Sequence, residues 1–126
     1  ARWRSKLTPS QFAVLRGGST EAHGSGRYGD GCMPRDGHFA CVGCGTPLYS
    51  AAAKFAAGCG WPAFGRCYVG GVIAVACGRG GGGGKVELVC GGCGGHLGHV
   101  FPPRRGGRME LERHCVNSVC VRHVAG

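Results

Sequence analysis

Three groups of side chains in this sequence have the chemistry and spacing of a reactive site. Cys41/Cys44 and Cys90/Cys93 form two Cys-x-x-Cys pairs, each placing two thiolates on one tight turn. Directly after the second pair the chain reads Gly94-Gly95-His96-Leu97-Gly98-His99-Val100-Phe101, with histidines three residues apart. A lone cysteine follows in Arg113-His114-Cys115-Val116-Asn117-Ser118. Positive charge beside a thiol favours its thiolate, so Cys115, next to Arg113 and His114, is the candidate nucleophile. A buried structural cysteine is the competing reading. Histidine is a residue type that can exchange a proton near neutral pH, so His99 suits the transfer of a proton or hydrogen bond to an oxygen under attack. For His96 a structural hydrogen bond is an equal alternative. Asn117 either orients a water or His99, or simply forms a turn. Trp61, between Gly60 and Pro62, sits where a rigid turn would hold its ring as a wall, or else it is a core tryptophan.

The two matched pairs, separated by a strand-rich insert, predict one Zn²⁺ per chain on Cys41, Cys44, Cys90 and Cys93. Four thiolates leave no open position, so such a site binds no water to activate and is structural. Two redox dithiols or two disulfides are the alternatives. The ion would tie the middle of the chain to the segment that carries the histidines.

These groups need a scaffold, and the sequence describes one with a short helix and many short strands. Thr8-Pro9-Ser10-Gln11 has the form of a capping box, with Thr8 as N-cap, Pro9 at N1 and Gln11 at N3. Leu7 and Phe12 stand where a hydrophobic staple forms, and Gly17-Gly18 ends a helix of two to three turns that packs Phe12 and Leu15 inward. Short, Val-rich runs at His38–Val42, Val72–Cys77, Lys85–Cys90, His99–Phe101 and Val116–Val121 read as strands between glycine or proline turns. The alternation in Val86-Glu87-Leu88 implies that one face of that strand meets water. The expectation is a mainly β, antiparallel domain. Residues 19–35 read as an irregular arm. The run Gly78–Gly84 reads as a flexible turn, because Lys85 leads into a strand and not into the helix a phosphate loop needs.

Composition narrows the class. The 126 residues suit one domain, 1–126, with 1–6 and 78–84 as flexible segments. Glycine accounts for 28 of them, roughly three times the usual share of about 7%. Glycine adds no side chain to a core, so part of the stability is expected from a metal or cross-link. The formal charge is +9, and zinc on four thiolates would leave it basic. The Lys and Arg residues are dispersed, without an aromatic RNA-binding pattern or a basic helical stripe, so no nucleic-acid partner is expected. No apolar run approaches 18 residues, so no membrane span is expected either. The chain opens Ala1-Arg2-Trp3-Arg4 without a Met or a secretory apolar segment, and reads as a processed or trimmed form from a reducing intracellular compartment.

With both cysteine pairs and the segments after them in view, the sequence resembles the B-type methionine sulfoxide reductases, which act on the R epimer. The likeness runs from Leu7 to about Cys120. It is carried by Leu7-Thr8-Pro9-Ser10-Gln11-Phe12, Cys41-Val42-Gly43-Cys44-Gly45-Thr46-Pro47-Leu48, Lys54-Phe55, Gly58-Cys59-Gly60-Trp61-Pro62-Ala63-Phe64, the His96–Phe101 block and Arg113-His114-Cys115-Val116-Asn117-Ser118. The resemblance implies two antiparallel sheets with a few short helices, a structural zinc and a cysteine nucleophile. It makes Cys115 the catalytic cysteine and Cys59 the resolving one. Trp61 receives the substrate methyl group, with Phe101 beside it as a substrate-binding residue. His96, His99 and Asn117 are the polar groups lining the site, and Arg113 is the catalytic-site arginine just before the nucleophile's neighbour. The implied chemistry reduces free or protein-bound methionine-R-sulfoxide, leaves a Cys115 sulfenic acid, and closes a Cys59–Cys115 disulfide. Thioredoxin or a similar dithiol then reopens it. A monomer in the cytoplasm, a plastid or a mitochondrion is expected. The sequence departs from the family at His114, where tyrosine is usual, and at Pro103, where aspartate is usual. Two other classes compete: a zinc-ribbon binding module without catalysis, and a secreted disulfide scaffold without zinc.

Overall fold

The capping box forms as its spacing predicts. In the computed structural model, which describes residues 6–18, 20, 36–55, 62–75, 86–101 and 113–125, helix α1 spans Pro9–Leu15. Gln11 N–H donates to Thr8 Oγ1 at 3.1 Å, and Thr8 N–H donates to Gln11 Oε1 at 2.9 Å. The helix ends in two glycines for steric reasons. A Cβ on Gly17 would stand 2.6 Å from the Ala13 carbonyl oxygen, and Gly18 takes φ +78°. Leu15 is fully buried and Val14 nearly so.

Nine strands follow among the described residues: β1 His38–Cys41, β2 Pro47–Ser50, β3 Lys54–Phe55, β4 Ala63–Phe64, β5 Val72–Val75, β6 Val86–Cys90, β7 His96–Phe101, β8 Arg113–Val116 and β9 Val121–Val124. They make two antiparallel sheets, one in the order β2-β1-β9 and one in the order β3-β4-β8-β7-β6-β5. The mainly β expectation holds. Between the sheets lies an aromatic core. Tyr49 stacks on Phe64 at 4.2 Å between ring centroids, and Phe39 meets Phe64 edge-on at 5.3 Å. Leu48, Leu88, Leu97 and Val116 complete the packing, all fully buried.

Three expectations are corrected. The last predicted strand, Val116–Val121, is two strands: β8 ends at Val116, a 3₁₀ turn occupies Ser118–Cys120, and β9 begins at Val121. Strand β7 starts at His96 rather than His99. Glu87 does not face water; it is 3% exposed. The arm expected at 19–35 lies, apart from Thr20, outside the described residues.

Candidate active and metal sites

The two cysteine turns are the same structure built twice. In the first, Gly45 N–H donates to the Cys41 carbonyl at 2.9 Å and Cys41 N–H to the Thr46 carbonyl at 2.9 Å. In the second, Gly94 N–H donates to the Cys90 carbonyl at 2.8 Å and Cys90 N–H to the Gly95 carbonyl at 2.9 Å. Gly45 and Gly94 take φ +79° and +74°, the left-handed region open to glycine. Each turn also aims an amide at its first sulfur: Gly43 N–H at Cys41 Sγ, 3.4 Å, and Gly92 N–H at Cys90 Sγ, 3.3 Å.

The four sulfurs lie within 4.8 Å of one another, and can hold a metal ion. Cys41 Sγ stands 3.9 Å from Cys93 Sγ, and Cys44 Sγ 3.5 Å from Cys90 Sγ. A tetrahedron with metal–sulfur bonds of about 2.3 Å has edges of about 3.8 Å, so the donor set fits zinc. The thiols also conflict electrostatically. The hydrogen bond to Cys90, with burial behind it, pushes the Cys41 thiol up, while the same bond holds Cys90 down to about 4. A bound dication removes that conflict by stabilising all four thiolates together.

The centre joins the parts of the fold. Cys41 ends β1 in the smaller sheet, and Cys90 ends β6 in the larger one. Helix α1 rests on the second turn: Arg16 Nη1 donates to the Cys93 carbonyl at 3.1 Å, and a Cβ on Gly95 would meet Leu15 Cδ1 at 2.6 Å.

The second constellation lies on the larger sheet. Across β6, β7 and β8, Glu87 stands opposite His99, and His99 opposite Cys115. Residues paired across antiparallel strands share a face, so these three form a row. His96 belongs to the same face despite lying three residues from His99. The pairing register shifts between Leu88 and Val89, which face Gly98 and His96, so Leu97 is an extra residue in β7. That bulge reverses the alternation and returns His96 to the face of His99. Their rings meet edge-on at 5.4 Å.

Asn117 holds the bulge. Its backbone N–H and its Nδ2 both donate to the Leu97 carbonyl, at 2.9 Å and 2.8 Å. Gly98 is required beside it, because a Cβ there would collide with the Cys115 carbonyl oxygen. The His-Leu-Gly-His sequence thus supplies two histidines, the extra residue and the close strand approach.

His114 departs from the expected flank of Cys115. Successive strand residues face opposite ways, and His114 turns into the core, its Nδ1 3.0 Å from Tyr49 Oη. Burial, followed by the nearby charges of Cys67 and Cys115, raises the Tyr49 phenol well above its usual range, so it stays protonated. Cys115 itself is 4% exposed. Cys120 is fully buried behind β7, its Sγ 3.3 Å from the His96 carbonyl, which makes it a packing residue. Cys32, Cys59, Trp61, Cys77 and Pro103 lie outside the described residues, as do 78–84 and 1–5. Phe101 and Arg113 lie on β7 and β8 with only their backbones described. Sequence reasoning missed Glu87; its signal was an acidic residue in an otherwise apolar strand.

Comparison with known proteins bears on this site. A SelR domain matches residues 7–125. A protein from Oryza sativa subsp. japonica, "Peptide methionine sulfoxide reductase B3, chloroplastic", is 43% identical over 122 residues, covering 97% of this chain and 51% of the relative. "Peptide methionine sulfoxide reductase B5" from the same plant is 45% identical over 120 residues, with 95% and 85% covered. "Peptide methionine sulfoxide reductase MsrB" of Methylibium petroleiphilum is 44% identical over 121 residues, with 96% and 85% covered. The chain thus spans about half the length of the first of these relatives and most of the other two.

Proposed function

The chain belongs to the SelR domain family, and on that premise we propose that it is a thiol-dependent methionine-R-sulfoxide reductase. The observation that carries the reading is the row in which a histidine of β7 stands directly opposite the candidate nucleophile of β8, His99 against Cys115. The reaction needs a thiolate to reach sulfur while the sulfoxide oxygen is protonated, and that pairing supports both requirements.

In the proposed reaction the Cys115 thiolate takes the oxygen of the sulfoxide. The thiol is oxidised by two electrons to a sulfenic acid as the sulfoxide is reduced to the sulfide, so Cys–SH and R₂SO become Cys–SOH and R₂S. The proton leaving Cys115 is balanced by the one the oxygen takes up, through His99 with His96 behind it. Trp61 and Phe101 hold the substrate, Arg113 supplies positive charge, and Asn117 fixes the bulge of β7 that brings the histidines together. The Cys59 thiol then displaces the hydroxyl of the sulfenic acid, releasing water and forming a Cys59–Cys115 disulfide. Thioredoxin or a comparable dithiol reduces that disulfide by exchange. Residues 1–126 act as one domain and as a monomer. The metal is a single structural Zn²⁺ on Cys41, Cys44, Cys90 and Cys93, supported by the sulfur spacing; it supplies folding energy and no step of the reaction.

No helix among the described residues is long and apolar enough to cross a membrane. Free thiols and a zinc thiolate centre favour a reducing intracellular compartment, the cytoplasm, a plastid or a mitochondrion. The "chloroplastic" in the name of one rice relative is compatible with the second of these.

The test of the function is turnover of the two epimers separately. The R sulfoxide, free or within a peptide, should be consumed, and the S sulfoxide left unchanged. Equal rates for both would defeat the reading. Recycling has its own test. Cys59→Ser should still reduce about one equivalent of sulfoxide in a single turnover, because attack by Cys115 needs no second thiol. Steady turnover with thioredoxin should collapse, while a small dithiol that attacks the sulfenic acid should restore it. Undiminished thioredoxin turnover in Cys59→Ser would assign the resolving role elsewhere.

A further inference from the structure

Strand β6 buries a carboxylate on the same face as the candidate nucleophile. Glu87 Oε2 lies 2.7 Å from His96 Nδ1, with the two side chains 4% and 1% exposed. A carboxylate removed from water stays ionised only when it is paired and hydrogen-bonded. Here the partner is a histidine ring that in turn meets His99 edge-on at 5.4 Å. By register, Glu87 is also the cross-strand neighbour of His99, and His99 that of Cys115. The bulge at Leu97 is what makes this possible, because without it His96 would face the opposite side of the sheet from Glu87.

A carboxylate on one imidazole nitrogen decides where the ring's proton resides. Nδ1–H donates to Glu87, and Nε2 becomes the position at which a proton is accepted or given. The same carboxylate stabilises the imidazolium formed when Nε2 gains a proton, as the buried aspartate does in a Ser-His-Asp triad.

We propose that Glu87 is a positioning residue for the reaction: its carboxylate holds His96 as the Nδ1–H tautomer against His99, so that the histidine pair can hold the proton released by Cys115 until the sulfoxide oxygen takes it. The proposal rests on the reductase reading above. Glu87 acts through His96, and the proton it helps to hold is the one already balanced in that reaction. No electrons pass through it.

The experiment compares wild type with Glu87→Gln and Glu87→Asp, using zinc content, melting, single-turnover kinetics with the R sulfoxide, and ¹⁵N shifts of the histidine rings. In the wild type, His96 should show a protonated Nδ1, whether or not the protein turns over sulfoxide. In Glu87→Gln, zinc should remain at one per chain and KM should change little. The single-turnover rate should fall by about 10- to 100-fold, the usual cost of losing a supporting carboxylate. Glu87→Asp should recover part of the rate and of the Nδ1–H signature. An Nε2–H tautomer for His96 in the wild type would overturn the proposal, and that measurement stands even if Glu87→Gln fails to fold. So would an unimpaired rate in Glu87→Gln, or a loss in both variants that merely follows zinc and melting. Wild type inactive on both epimers would defeat the reductase reading instead, leaving the tautomer measurement to judge the Glu87–His96 pair.

Discussion

Cys115→Ser is expected to abolish sulfoxide reduction while leaving the fold intact. The substitution exchanges sulfur for oxygen at a site 4% exposed, in the middle of a sheet row, and changes volume little. A serine hydroxyl at neutral pH is neither ionised nor soft enough to attack sulfoxide sulfur, whereas a thiol has a usable thiolate fraction. Removal of a covalent nucleophile costs at least about 10⁴-fold where such losses have been measured. The reaction should therefore fall below detection in a single turnover with the R sulfoxide, with zinc still at one per chain and melting within a few degrees of wild type. This separates the reductase from the zinc-ribbon module, in which Cys115 would be dispensable. Residual reduction of more than about one part in a hundred would place the nucleophile elsewhere, since the losses expected of supporting groups are of that size.

How much of this was legible in the residues varies with the kind of signal. The metal turns were legible because a ligand set is a local pattern: Cys-x-x-Cys followed by glycine specifies the turn, the positive φ and the sulfur spacing at once. Helix α1 was legible for the same reason, through Thr8, Pro9 and Gln11. Strands β2, β3 and β4 were not. β2 begins at Pro47 and β3 and β4 have two residues each, too short for alternation to register, and they exist because neighbouring strands pair with them.

The chemistry-bearing face was half legible. His96, His99 and Cys115 stood out by type, but their convergence depends on an extra residue at Leu97 that no period-2 pattern reveals. The same limitation explains Glu87. Alternation in Val86-Glu87-Leu88 correctly separates two faces, yet it cannot say whether the polar one meets water or a histidine. His114 shows the converse error. Adjacency in sequence suggested a charge beside the thiol, but neighbours in a strand point apart, and its ring went to Tyr49. Asn117 reads either as orienting a water or His99 or as forming a turn, and two of its donors secure the Leu97 carbonyl.

Loss of the metal should be as complete in its effect on stability as loss of Cys115 is on activity. The core enclosed by the two sheets is small, and Cys41 and Cys90 are themselves buried members of it. Cys41 comes from the smaller sheet and Cys90 from the larger, so an ion held by the four cysteines would cross-link two sheets as well as two turns. Helix α1 then packs on the finished second turn through Leu15 and Arg16. Structural zinc contributes about 10–16 kcal/mol where folding and binding are one event. Natural domains have a net stability of only about 5–15 kcal/mol, so a contribution of that size is comparable to the whole net stability of a domain. Cys93→Ser keeps the backbone carbonyl that receives Arg16 and changes the side chain by one atom, so packing alone predicts a minor loss. As a missing ligand it should instead leave the protein without zinc and without a cooperative melt above room temperature. Stripping zinc from the wild type with a chelator should produce the same state, and returning one equivalent of Zn²⁺ should reverse it. Metal analysis alongside thermal denaturation followed by circular dichroism reads both. A zinc-free Cys93→Ser protein that melts with the wild type would mean that the four cysteines are a packed cluster and that the fold stands without an ion.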